Sequence, residues 1–387
     1  MIFKQQMMKI KPTQVISFSL FLITLAVNVS MPLFRPYAAV AGFSNGQTSL
    51  VLATYILGML PCYVFLGGIS DKIGRKSVLV FSLFLALFSN VTITICPTIY
   101  ALILARFFQG VGLGLSMGTG TAYIAELLSE DIYAATRAAN ATSLSTAFGF
   151  SGGAFMTSIA LLIHFSYLPC TYYIAIGITL IGIILSFFLP KLTPIGGSLL
   201  RLPYFPKGSF PVNFSIAICW ATTGVVIAII PTQLAKFGLT AFAGFCLVLI
   251  NWTGAFLQPF IRSRFKPITS LKLGFALIPI GFGLVVLGAY YGILAVVLLG
   301  TAIIGSAAYG FSYQGGLSII ATLAGNQRAR AVAGYMFFGY IGFGIPAVFL
   351  GYLADFFGIM YALVFFEIVI LLSSLYLFLT FEKKKIE

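Results

Sequence analysis

Four charged side chains lie in a ten-residue segment, 67–76, which reads G-G-I-S-D-K-I-G-R-K. It separates two long apolar stretches, and a turn with three cations and one carboxylate cannot lie in hydrocarbon. Asp71 lies at the start of the second stretch, where the free amides of a helix N-terminus favour negative charge, and Arg75 follows one turn later. The segment therefore predicts a charged turn outside the membrane, with Asp71 and Arg75 positioned to interact. Glu126 is a second candidate partner for Arg75, and an interfacial carboxylate in water is the alternative for Glu126.

Two charged residues lie inside apolar stretches instead. An arginine at membrane depth, such as Arg106, is costly unless it faces a cavity or a partner. Arg106 is therefore either part of a functional site or a structural cation bonded to backbone carbonyls of the first span. Glu367 lies about ten residues into the last apolar stretch, and desolvation favours the uncharged form of its carboxyl group, which suits a proton carrier. An interhelical hydrogen bond or a protonated, lipid-facing acid is the alternative.

Polar and aromatic residues at helical spacing predict faces that point away from lipid. Asn28 and Arg35 are seven residues apart, as are Asn251 and Gln258, and Ser306, Tyr309 and Tyr313 follow a third such pattern. Trp220 and Trp252 could stack on an amphipathic substrate, with packing as the default reading. The predicted substrate-binding residues are Asn28, Arg35, Gln109, Trp220, Asn251, Gln258, Tyr309 and Tyr313.

Three isolated cations, Arg35, Arg106 and Lys236, suggest a second kind of substrate. Together they would make one half of a cavity positive, and a desolvated anion needs a fixed cation. Interfacial snorkelling of Arg35 and Lys236 is the alternative.

The single histidine, His164, either takes part in proton transfer or simply lies at the membrane interface.

The composition shows what kind of protein positions these residues. The 387-residue chain is 60% hydrophobic and 8% charged, with a mean hydropathy of +1.07, whereas soluble domains carry about 25% charged residues. Apolar runs of about 20 residues recur without the alternation of barrel strands. The fold class is therefore an all-α polytopic membrane protein.

Cys96 and Cys170 lie at span ends on one face, where a disulfide is one option and free thiols are the other.

Twelve apolar runs can be marked, and their loops divide the charges unequally. All of the 22 cations except Arg35, Arg106 and Lys236 fall on the side of the 67–76 segment. Positive residues collect in cytoplasmic loops, so both termini are expected in the cytoplasm and the net charge of +14 requires no nucleic acid. The runs are about 14–35, 47–66, 77–96, 98–125, 138–164, 169–190, 211–235, 241–260, 271–289, 292–320, 332–354 and 358–381.

A polar linker rich in proline and glycine interrupts the spans after the sixth run. It divides the chain into residues 1–190, a linker 191–210, and residues 211–387. Shifting the second half by 193 positions aligns Arg137 with Arg330 and Gly149 with Gly342. Halves with the same entry side are parallel repeats, and such repeats place the substrate path between them.

These features resemble the major facilitator superfamily of secondary transporters. Gly67, Asp71, Gly74, Arg75 and Lys76 match the family's signature between spans 2 and 3, and residues 106–112, R-F-F-Q-G-V-G, resemble its motif in span 4. The resemblance implies twelve helices in two pseudo-symmetric six-helix bundles. It also implies that Asp71 meets span 11 and holds the cytoplasmic side closed, and that Arg106 couples protons to transport. The implied gating residues are Gly67, Asp71, Gly74, Arg75, Lys76 and Glu126, and the candidate coupling residues are Arg106 and Glu367.

One part of the family pattern is missing. The glycine- and proline-rich motif of drug and proton antiporters should lie in span 5, but Ala154 replaces its proline, and Thr157 and Ser158 replace its last two glycines. Antiport and export are therefore left open by this motif.

The leading interpretation is proton-coupled efflux of a small amphipathic compound across a bacterial inner membrane, by a monomer in contact with lipids. The alternative is transport of an organic anion or siderophore-like metabolite in either direction, using Arg35 and Arg106. A non-transporting membrane receptor is a remote third option. The sequence has no catalytic triad, metal cluster or phosphate loop, so neither an enzyme nor a cofactor is expected.

Overall fold

Twelve long apolar helices make up the part of the chain that the computed structural model describes, residues 11–196 and 198–383. Lys4, Lys9, Lys384 and Lys385, counted above among the basic residues, lie outside this part. The predicted all-α class and twelve spans are confirmed. The helices are α1 Pro12–Val40, α2 Asn45–Phe65, α3 Arg75–Ile95, α4 Ile99–Leu127, α5 Ala134–Ile163, α6 Cys170–Phe187, α7 Phe210–Ala235, α8 Thr240–Arg264, α9 Pro267–Tyr291, α10 Leu294–Leu323, α11 Gly325–Phe357 and α12 Ile359–Glu382.

The helices alternate in direction, so the loops lie at two ends of the molecule. We call the end that carries segment 67–76 and the linker the basic face, and the opposite end the far face. Helices α1–α6 are called the first half and α7–α12 the second half. The exact limits of the two halves, predicted at 190 and 211, stay a prediction.

Helix α1 is interrupted near its middle. Its α-helical part ends at Asn28, a short 3₁₀ segment covers Met31–Leu33, and a further helix covers Phe34–Val40. Pro32 lies in the 3₁₀ segment, and proline has no N–H to donate and clashes with the carbonyl four residues earlier. The last carbonyls before the interruption are therefore available to other partners.

Helix α10 contains a second irregularity. A π-helical segment, Ser306–Ser312, separates two α-helical parts. Its wider turn changes which side chains share a face, so the predicted stripe of Ser306, Tyr309 and Tyr313 does not follow one regular helix. Segments of this kind occur frequently at functional sites.

The repeat predicted from a shift of 193 positions recurs in the packing. A side chain at Gly149 would meet Thr24 of α1, and a side chain at Gly342 would meet the carbonyl of Ala217 of α7. Thr24 and Ala217 are themselves 193 positions apart. Glycine allows the same close helix crossing in both halves.

The two halves meet along two pairs of helices, α2 with α11 and α5 with α8. Aromatic rings fill the first interface, where Tyr55 contacts Phe343 and Tyr63 contacts Tyr340. In the second interface, the rings of Phe148 and Trp252 lie 5.2 Å apart. A cavity remains between these two interfaces.

Candidate substrate cavity and charged loops

The central cavity lies between the two halves and receives side chains from both. Its volume, about 70 Å³, is well below the roughly 300–1,000 Å³ of typical ligand pockets. The halves are therefore close together in this conformation. The cavity is lined by Val27, Asn28, Leu52, Tyr55, Arg106 and Phe150 of the first half, and by Trp220, Ile227, Leu247, Asn251, Tyr309, Tyr340 and Phe343 of the second half.

Arg106 is the charged residue of the cavity wall and is 1% exposed. One terminal nitrogen donates to the carbonyl of Val27 at 2.5 Å, and the other donates to the carbonyl of Leu52 at 3.2 Å. Val27 is the penultimate residue before the interruption in α1, so its carbonyl lies at the negative end of a helix dipole. This arrangement matches the alternative of a structural cation bonded to carbonyls of the first span.

Aromatic rings complete the surroundings of Arg106. Its guanidinium carbon lies 4.4 Å from the ring centre of Tyr55 and 5.3 Å from that of Phe34, which are cation–π distances. Across residues 11–196 and 198–383, no carboxylate lines the cavity or forms an ion pair with Arg106. Its Nε also has no hydrogen-bond partner. The cavity therefore presents a positive charge that no acidic side chain compensates.

Two asparagines and one tryptophan supply the remaining polar groups. Asn28 donates its side-chain N–H to the carbonyl of Phe150, and Asn251 donates to the carbonyl of Leu247, each at 2.9 Å. Their side-chain oxygens remain as acceptors. The indole of Trp220 lies 5.3 Å from Tyr309 and 5.0 Å from Tyr340, and its buried N–H has no partner in the described structure. The walls can thus stack on a planar group and offer it both donors and acceptors.

Four of the eight predicted substrate-binding residues do not line this cavity. Gln109 donates to the carbonyl of Ala26 at 2.7 Å, and Gln258 donates to the carbonyl of Tyr309 at 3.1 Å. The carbonyl of Ala26 lies two residues before the end of the first α-helical part of α1, and the carbonyl of Tyr309 lies in the π segment of α10. Regular helical spacing does not reveal either contact. Arg35 lies in a smaller pocket near the far face, and Tyr313 is not among the lining residues.

Sequence reasoning missed four aromatic residues of the cavity wall. Tyr55 lies on α2, Tyr340 and Phe343 lie on α11, and Phe150 lies on α5, and all three helices take part in the contacts between the two halves. The argument used for Tyr309, that a hydroxyl avoids lipid, applies equally to Tyr55 and Tyr340. Phe150 and Phe343 carry no such signal among the 39 phenylalanines of the chain.

The charged segment at the basic face forms a compact network. A short helix, Ile69–Ile73, precedes α3, so Asp71 lies in this short helix and not, as predicted, at the start of the long one, which begins at Arg75. Arg75 pairs with Asp71 and also donates to Glu126 at 2.7 and 3.1 Å. Asp71 and Arg75 are buried, so the predicted pairing of these residues holds in the structure.

The second guanidinium at Asp71 comes from the linker. Arg201 forms an ion pair with the free oxygen of the Asp71 carboxylate, whereas the family resemblance implied a contact with α11. The linker then reaches α11 itself, because Arg330 donates to the carbonyl of Leu202 at 2.8 Å and accepts from the N–H of Tyr204 at 3.0 Å. The connection from the charged segment to α11 is therefore indirect.

The other predicted functional residues lie apart from the cavity. Lys76 donates to the carbonyls of Phe187 and Leu189 at the end of α6, so it holds two helices of the same half together. Glu367 packs beside Gly283 of α9, and one of its oxygens is buried without a partner. His164 and Lys236 are exposed at the far face.

Comparison with known proteins adds a family assignment. The family model described as Major Facilitator Superfamily matches residues 16–278. Monosaccharide-sensing protein 3 of Arabidopsis thaliana is 34% identical over 83 residues, which are 21% of this chain and 11% of that protein. Quinolone resistance protein NorA of Staphylococcus aureus is 26% identical over 113 residues, 29% of each chain. The matches thus span less than a third of these curated relatives.

A solved structure matches over almost the whole chain. The nucleoside transporter NupG, in a mutant form, superposes with a TM-score of 0.75 at 14% sequence identity. The superposition covers 96% of this chain and 99% of that one. At this level of identity the likeness concerns the fold.

Proposed function

This chain is a transporter of the Major Facilitator Superfamily, not an enzyme, and we propose that it exports a small amphipathic organic compound bound in the central cavity. The observation that carries the proposal is the cavity itself. It lies between the two halves, its walls are mostly aromatic and apolar, and a few polar groups point into it. Rocking of two bundles about such a site would expose it alternately to the two faces.

The direction of transport follows from two further arguments. The basic face collects most cations and is proposed as the cytoplasmic side, in line with the positive-inside rule. The similarity to a quinolone resistance protein supports export, since a transporter confers resistance most directly by removing the drug.

Proton coupling is a further part of the proposal. Because no carboxylate of the described residues lines the cavity, a proton carrier in the wall itself is not supported. Glu367, between α9 and α12, is the membrane-depth carboxyl group that remains for this role. Glu367→Gln should then abolish the dependence of transport on a pH gradient, and unchanged dependence in proteoliposomes would exclude it.

A second candidate substrate is an organic anion, and the uncompensated charge of Arg106 favours it. A carboxylate in the cavity would lie near a buried guanidinium and an unpartnered indole N–H. This candidate rests on Arg106 alone, because Arg35 lies in a different pocket.

The two tryptophans of the chain allow a direct test of the site. In Trp252→Phe, the remaining Trp220 lies in the cavity wall, whereas Trp220→Phe leaves only Trp252 at the α5–α8 interface. A quinolone, benzoate and its neutral counterpart benzamide would be titrated against both purified variants. We expect saturable quenching in Trp252→Phe and little change in Trp220→Phe.

The same titration separates the two substrate classes. Binding of benzoate in strong preference to benzamide, lost in Arg106→Gln, would favour the organic anion. Quenching by the quinolone and benzamide alike favours the amphipathic compound. If no compound changed the fluorescence of Trp220 and none were transported in proteoliposomes, the proposed site would be wrong.

A further inference from the structure

A carboxylate of the second half caps a helix of the first half at the far face. One oxygen of Asp355 accepts from the backbone N–H and the side-chain N–H of Asn45, each at 2.8 Å. The other oxygen accepts from the N–H of Gly46 at 2.9 Å. Asn45 and Gly46 are the first residues of α2, so these backbone N–H groups have no acceptor within their own helix.

The backbones of α2 and α11 pack tightly around this cap. A side chain at Gly351 would meet the hydroxyl of Ser49 at 2.6 Å, and a side chain at Gly46 would meet the ring of Tyr352 at 2.4 Å. The three hydrogen bonds therefore exist only while the far ends of α2 and α11 are in contact. Separation of the halves at this face must break all of them.

The related contact, between α5 and α8, involves no charged side chain. There the hydroxyl of Ser158, on α5, accepts from the N–H of Gly244 near the start of α8, at 3.1 Å. A shift of 193 positions places Ser158 at Gly351, and it places Asp355 at Leu162, which has no polar group. Among the residues that the structure describes, the α2–α11 interface has an anionic cap and the α5–α8 interface does not.

We propose that Asp355 is the latch that holds the far face closed and sets how often the cavity opens there. A carboxylate favours the positive end of a helix dipole, and hydrogen bonds to a charged acceptor are stronger than neutral ones. Interactions made in one conformation and absent from the other shift the equilibrium toward the first. The inference rests on the alternating-access part of the proposed function and does not depend on the substrate.

The test measures distances across each face in the purified full-length protein without substrate. The exposed cysteines Cys96 and Cys170 would be replaced by serine. Spin labels at Val40→Cys and Tyr361→Cys would report the far face, and labels at Ile132→Cys and Ser263→Cys would report the basic face. All four labelling positions are exposed.

Asp355→Ala should raise the ratio of far-open to far-closed molecules by roughly two- to fivefold, the effect typical of one carboxylate at an exposed helix N-terminus. The basic-face distance should shorten in the same molecules. Asn45→Ala, which removes one of the three hydrogen bonds, should have a smaller effect in the same direction. Glu382→Ala, which removes a carboxylate near the basic end of α12, should leave both distances unchanged.

Unchanged distances in folded Asp355→Ala, or an equal shift in Glu382→Ala, would overturn the proposal. If Asp355→Ala lowers the unfolding temperature, the distances measured in Asn45→Ala test the proposal instead. Because the distances are measured without substrate, a failed fluorescence titration would reject the substrate site and leave the latch to be judged by this experiment.

Discussion

At the scale of single residues, the buried charges of this transporter are balanced in two ways. Arg106 is surrounded by helix carbonyls and aromatic rings and has no acidic partner among the described residues. Arg75 is paired with two carboxylates, Asp71 and Glu126. A guanidinium bonded to carbonyls keeps its positive charge available to a ligand, whereas a guanidinium between carboxylates does not. We therefore propose that Arg106 can contact a substrate and that Arg75 has a structural or gating role.

Neutralising Asp71 should impair transport heavily. Asp71→Asn leaves the buried guanidinium of Arg75 with one carboxylate, and breaking a buried ion pair costs on the order of 3–5 kcal/mol. We expect the transport rate in proteoliposomes to fall by about tenfold or more. The control is Arg264→Ala, because Arg264 occupies the equivalent position, 193 residues later, in the loop of the second half. Equal losses in both variants would mean that charge placement alone, and no gate, accounts for the segment.

At the scale of helices and loops, irregular segments build the site. The interruption of α1 provides the carbonyls that hold Arg106 and Gln109, and the π segment of α10 carries Tyr309 into the cavity wall. Regular helices would satisfy these carbonyls internally. The local departures from α-helical geometry are thus what make the polar part of the cavity.

The two related glycine crossings should be equally sensitive to a methyl group. Gly149→Ala would place a Cβ 1.9 Å from the hydroxyl of Thr24, and Gly342→Ala would place one 2.2 Å from the carbonyl of Ala217. Each should lower stability by about 1–3 kcal/mol, the usual effect of overpacking. Gly118→Ala on α4, which meets nothing within 4 Å, is the control. Thermal unfolding in detergent measures all three, and a neutral Gly342→Ala would contradict the repeated packing.

The linker should act on transport through Asp71. Arg201 is 48% exposed on its side chain, so its ion pair is worth at most about 1 kcal/mol. We expect Arg201→Ala to slow transport by about two- to fivefold. Added to Asp71→Asn, it should have little further effect, because both changes remove the same pair. Fully additive losses, or an equal loss in the linker variant Lys207→Ala, would show that the ion pair is not responsible.

At the scale of the whole molecule, the contacts between the halves differ at the two faces. At the far face, Asp355 joins the halves directly through three hydrogen bonds. At the basic face, no ion pair of the described residues joins the two bundles directly, and the linker connects the charged segment to α11. The two faces should therefore open with different energetic costs.

The proposed orientation can be checked with the native cysteines. Cys96 and Cys170 are free and exposed at the far face, whereas Cys62, Cys219 and Cys246 are buried. A membrane-impermeant maleimide should label intact spheroplasts that express the unmodified chain. With Cys96 and Cys170 replaced by serine, a cysteine at the exposed Ile132 of the basic face should react only after permeabilisation. The reverse pattern would place the basic face outside.

The sequence by itself determined the features that depend on local composition. Hydropathy over about 20 residues located the twelve helices, and the distribution of lysine and arginine distinguished the basic face from the far face. Arg106 was recognised because a cation in an apolar stretch is unusual whatever the tertiary fold. The family followed from the charged segment, whose residues are close together in the chain.

Only the tertiary structure decided which residues meet across the fold. Asp71 pairs with Arg201, 130 positions later in the chain, and Asp355 caps a helix that begins 310 positions earlier. Tyr55 and Phe343 line the same cavity, although nothing in the sequence around either residue indicates the other. Such pairings depend on how helices cross and where they become irregular. Both are set by packing between distant segments, which no local pattern of residues encodes.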